Sequence, residues 1–124
     1  MDNLTSSEHD VEDAPVIRKK CLLRILALLV AKQKDITVDD EWVQAEADLF
    51  REQFNLNDPD VTMRWLQRVG LDISEFSEIM YEFSVVRKLQ IIFEKEIESR
   101  FEGHVKIDSV RTTRHGLNLF EERD

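Results

Sequence analysis

From residue 16 to about 101, apolar side chains return every three or four positions, the period that lines one face of an α-helix. The first such run, residues 16–34, has apolar residues at 17, 21, 25 and 28 and again at 22, 26, 29 and 30. They cover well over half the circumference, which predicts a helix buried on most sides. Pro15 suits its first turn. Within this run Cys21 reads as an inert, buried small side chain.

A second helix is predicted from Thr37, a hydroxyl N-cap followed by Asp39, Asp40 and Glu41, whose carboxylates suit the positive end of the helix dipole. Trp42, Leu49, Phe50 and Phe54 give it an aromatic stripe of the kind that fills a core. Asn55-Leu56-Asn57 interrupts the pattern. Asp58, Pro59 and Asp60 restart it as cap, first-turn proline and first-turn acid of a short third helix that carries Val61, Trp65, Leu66 and Val69 and stops at Gly70. The fourth start is the most explicit: Asp72 with Glu75 three positions on forms a capping box, and Leu71 with Phe76 the hydrophobic staple around it.

Beyond that start Phe76, Ile79, Met80, Phe83, Val86, Leu89, Phe93 and Ile97 keep helical spacing to about Phe101, before Gly103. A helix of roughly 28 residues is long for so small a domain, which leaves room for a bend or break around residues 84–88. Residues 105–110 alternate locally and are rich in β-branched side chains, which predicts an extended segment. No second strand offers itself within the chain, so this segment is expected to pack as an arm or to pair with another chain. The last residues, 112–124, read as a partly mobile tail in which Leu117, Leu119 and Phe120 can dock locally.

The expected architecture is therefore all-α: a compact bundle of four to five helices over residues 15–103, preceded by a disordered acidic segment, 1–14, and followed by an extended arm and tail, 104–124. Composition agrees, with 42% hydrophobic residues, 35% charged, and only 3 Gly and 2 Pro to serve turns. The formal charge of -9 would repel phosphate backbones, so no nucleic-acid partner is expected. One cysteine allows neither an internal disulfide nor a thiolate zinc cage, which fits a reducing cytoplasm. The apolar run after Cys21 is too short to span a bilayer, and an acidic stretch stands where a secretory signal would be basic, so no membrane role is expected.

Reaction chemistry has little to build on. His9, His104 and His115 form no closely spaced metal pair, and His104 and Asp108 would be too far apart to chelate across an extended segment. No glycine-flanked serine and no glycine-rich phosphate loop occurs. Glu94, Glu96, Glu98 and Glu102 alternate with Lys95 and Arg100 as a solvated, charge-paired face would. We expect no catalytic residue, no metal and no cofactor. What the sequence offers instead is an excess of large apolar side chains: Trp42, Phe50, Phe54, Met63, Trp65, Phe76, Met80 and Phe83. Of these Met63, Trp65, Met80 and Phe83 are candidates for binding a peptide, since methionine and aromatic residues left at a surface form adaptable apolar patches. The alternative is that all of them are core.

Ala47, Phe50-Arg51, Leu56, Trp65-Leu66, Gly70-Leu71 and Phe76 together give residues 42–93 a spacing that resembles the SurA-type helical domain. That domain stands at the front of parvulin-type peptidyl-prolyl isomerases and in proteins associated with TfuA-like factors of peptide maturation. About twenty residues follow Gly103, too few for an isomerase domain. The resemblance implies a non-catalytic, chaperone-like accessory module with a peptide or protein partner, such as a ribosomally made peptide awaiting modification. A second reading, from the charge alone, is an acidic inhibitor or immunity-type protein that covers a basic surface of its partner. The apolar first helix and the segment near residue 107 are both compatible with a homodimer.

Overall fold

A computed structural model describes residues 12–115, with side chains to residue 110. Within these bounds the protein is all-α, with helices α1 (Ala14–Gln33), α2 (Asp40–Gln53), α3 (Pro59–Val69), α4 (Ile73–Ile92) and α5 (Glu94–His115). The chain forms two compact units, one ending at Leu89 and the other beginning at Gln90. No helix among the described residues is long and apolar enough to cross a membrane.

Local chemistry sets the helix starts. The Asp58 carboxylate accepts from the Val61 N–H at 2.8 Å, with Pro59 in the first turn. Asp72 and Glu75 form the reciprocal capping box, Glu75 N–H to Asp72 Oδ1 at 2.7 Å and Asp72 N–H to Glu75 Oε1 at 2.9 Å. The second helix departs from expectation. Its cap is Asp39, which accepts from the Trp42 N–H at 3.0 Å, and the Thr37 carbonyl instead accepts from Lys88 Nζ at 2.6 Å. The carboxylate sits three residues ahead of the first aromatic turn and meets a free N–H that Thr37 is too distant to reach.

The helix ends share one device. Asp35 (φ 55), Asn55 (φ 58) and Gly70 (φ 84) take left-handed conformations. Each turns the next residue back to donate into the helix it has left: Ile36 to the Ala31 carbonyl at 2.8 Å, Leu56 to Arg51 at 2.8 Å and Leu71 to Leu66 at 3.0 Å. That places an apolar side chain at the start of each of these three loops, and Leu56 is buried while Ile36 and Leu71 are half-buried.

The core of the first unit is built on Ala47, Leu66, Phe76 and Met80, with Val43, Phe50, Trp65, Leu71, Ile79 and Phe83 packed around them. Phe50 is the hub of the rings, 4.6 Å from Phe54 and 5.5 Å from both Trp65 and Phe76, the last two edge-on. Edge-to-face pairs of this kind contribute about 0.5–1.5 kcal/mol each beyond area burial. Polar links tie α4 to its neighbours: Arg24 of α1 lies 3.4 Å from Glu82 and over the Phe83 ring, and Lys88 stands over Trp42. Arg87 binds Glu46 of α2, and this hydrogen bond raises the guanidinium pKa above its ordinary value against the opposing effect of desolvation.

Four further expectations are corrected. The residues 84–88 are unbroken helix, with Ser84 and Val85 fully buried; the break falls at Phe93, whose carbonyl accepts from Ile97 N–H at 2.9 Å to open α5. The extended arm of residues 104–115 is helical, because one glycine costs a helix only about 1 kcal/mol and Phe101 and Val105 also fit a four-residue spacing. Helix α1 buries only Ala27 and Ala31, so it is not enclosed on most sides. Cys21 is accordingly exposed. The disordered segment expected over 1–14 lies outside the described residues as far as residue 11, and Ala14 already belongs to α1; the tail from residue 116, with Leu117, Leu119 and Phe120, lies outside them too.

Candidate functional site

Helix α1 buries two small side chains and leaves most of its large aliphatic ones exposed. Ala27 and Ala31 are each 5% exposed, while Leu22, Ile25, Leu26 and Leu29 are 46–55% exposed. At 3.6 residues per turn these four occupy positions i, i+3, i+4 and i+7, a single stripe on the side away from the alanines. Such a stripe ordinarily faces a core. Arg24 stands at i, i+3 and i+7 with Ala27 and Ala31 and so shares their face: its guanidinium lies over the Phe83 ring and reaches Glu82.

Charge frames the stripe. From Ala14 to Gln33 the sequence holds Arg18, Lys19, Lys20, Arg24 and Lys32 and no carboxylate. Lys20 pairs with Glu12 and Arg24 with Glu82. Arg18, Lys19 and Lys32 are exposed, and no described residue is a side-chain partner to them. The surface is thus apolar in the middle and cationic at both ends, in a chain whose formal charge is -9.

The four residues singled out by sequence do not form one surface. Met80 is 1% exposed and belongs to the core, so as a binding residue it is a correction: the α4 face that bears it is closed by Ala47, Leu66 and Phe76. Trp65 and Phe83 are half-buried against that same core. Only Met63 is open, 45% exposed at the rim of a pocket of about 370 Å³ lined by Arg51, Leu56, Pro59, Thr62 and Ile73 among others. Two of its polar groups serve α3, the Asp58 carboxylate as the cap and the Asp58 carbonyl as acceptor from Thr62 Oγ1 at 3.0 Å.

Sequence reasoning missed the α1 stripe because a helix apolar on most sides reads as a core helix. The signal that distinguishes the inward face was present in Ala27 and Ala31, the small residues four apart. Among the described residues no three His, Cys, Asp or Glu side chains are grouped to hold a metal ion. His104 and Asp108, expected to be too far apart, are brought within 3.6 Å by the helical α5 and are both well exposed. Compared with protein-family models, curated proteins and solved structures, the chain finds no match in any of the three.

Proposed function

We propose that this protein is a non-catalytic cytoplasmic accessory module that holds a peptide or protein partner against the outer face of α1. The observation that carries this reading is the inverted helix: four large aliphatic side chains in one stripe, half exposed, opposite two buried alanines. Monomeric proteins rarely leave such a stripe in water. Covering the exposed half of each side chain contributes about 1 kcal/mol per residue, enough for a reversible contact. A chaperone-like role in peptide maturation, as the resemblance over residues 42–93 implies, is a use to which such a surface lends itself.

The test is a selection from displayed random peptides on the wild-type protein and on a Leu22→Ser/Leu26→Ser variant, with circular dichroism to establish that both are folded. Peptides with helical apolar spacing are expected to enrich on the wild type and to be lost on the variant. Failure of any peptide to enrich, or equal enrichment on both proteins, removes the reading.

A further inference from the structure

We infer that the segment received by α1 is an acidic amphipathic helix of a partner protein, an inference that rests on the binding role proposed above. The argument comes from the order of charges along the stripe. Arg18 lies one turn before Leu22 and Lys32 one turn after Leu29, so cations close the stripe at each end over about 21 Å of helix. A second α1 is a poor occupant. Laid antiparallel it sets Arg18 against Lys32, and laid parallel it sets each cation against its own copy, so both directions bring like charges together at both ends.

A helix with Leu, Ile or Phe at i, i+3, i+4 and i+7 and with Asp or Glu a turn before and a turn after meets the leucines and the cations together, in either direction. An anionic lipid surface shares the charge but offers no fixed positions to match the register of leucines and cations. A helix held at contact distance feels chiefly the cations next to it, because charges beyond about 8 Å are screened at physiological salt.

The experiment uses the full chain and two dye-labelled synthetic helices with the same apolar positions, one carrying Glu at the flanking positions and the other Lys, read by fluorescence anisotropy. The Glu helix is expected to bind about tenfold more tightly, to lose that advantage in high salt, and to lose it also to an Arg18→Glu/Lys32→Glu variant, which instead favours the Lys helix. Equal affinity for the two helices overturns the acidic preference while leaving the binding role standing. Absence of binding by either overturns both. Two further arms identify other occupants, and each positive result overturns the inference: sedimentation showing a dimer that Leu26→Ser dissociates assigns the face to a second copy, and Leu26-dependent flotation with vesicles containing about a third phosphatidylserine assigns it to lipid.

Discussion

Arg87 on α4 grips Glu46 on α2 across 41 residues of sequence, Nε to Oε1 at 2.5 Å and Nη2 to Oε2 at 3.2 Å. The two ends differ in environment, for the Glu46 side chain is 9% exposed and that of Arg87 49%. Loss of the cation strands a buried carboxylate, whereas loss of the carboxylate leaves a guanidinium that water can serve. Arg87→Ala should therefore cost about 1–2 kcal/mol, a figure held low by water on the arginine side, and Glu46→Gln under about 1 kcal/mol. Urea denaturation of both variants decides; a larger loss for Glu46→Gln contradicts the asymmetry. The raised Arg87 pKa has a defined pH signature. A base whose folded pKa is raised contributes stability that is fully present below its unfolded pKa and lost only as pH climbs through the folded one. For an arginine that window lies above about pH 12, so this contribution should be flat between about pH 5 and 10.

The three left-handed turns predict opposite signs for one kind of substitution. Gly70 has φ 84 and nothing within 4 Å of an added Cβ, so Gly70→Ala should cost about 1 kcal/mol through backbone strain alone. Asp35 and Asn55 already carry that strain at φ 55 and φ 58. Replacing either by Gly should be neutral or stabilise by a few tenths of a kcal/mol, roughly the difference between those side chains and glycine at a helix end. Thermal unfolding of the three variants separates them, and a stabilising Gly70→Ala would refute the account.

Met80 and Met63 look interchangeable in the sequence and should behave differently. Met80→Ala opens a cavity among Leu66, Phe76 and Ala47 and should cost about 2–5 kcal/mol. Met63→Ala, at an open pocket rim, should stay within about 0.5 kcal/mol. Chemical denaturation reads both, and similar losses would mean that Met63 is packed in solution.

The capping box predicts a local effect. Asp72→Ala removes the acceptor for the Glu75 N–H and should cost about 1 kcal/mol. Amide hydrogen exchange should quicken first at the start of α4, with α3 less affected. Uniform acceleration through the first unit would show that the cap is not a local device.

Most of the helix boundaries could be read from single residues, because a cap or a left-handed turn is settled by a side chain and the backbone within four positions of it. Asp58, Gly70 and the Asp72–Glu75 pair belong to this class. The break near the end of α4 is harder to read, because Phe93 has no capping side chain and its only local signal is the first-turn acids Glu94 and Glu96, while Ser84 and Val85 of the stretch at 84–88 lie in the core.

By itself the sequence determined the all-α class, the order of the first four helices and the apolar spacing that lets them pack, since these follow from periodicity and local hydrogen bonding. Tertiary structure alone decided which face of each helix is inside. For α1 it turned Ala27 and Ala31 inward and Leu22, Ile25, Leu26 and Leu29 outward; for Met80 and Met63 it closed one and opened the other. The physical reason is that burial is a property of what a neighbouring element leaves room for. On α1 the face that carries Arg24, which lies over Phe83, is also the face of the buried Ala27 and Ala31, and a hydrophobic pattern carries no record of which neighbour a face will meet.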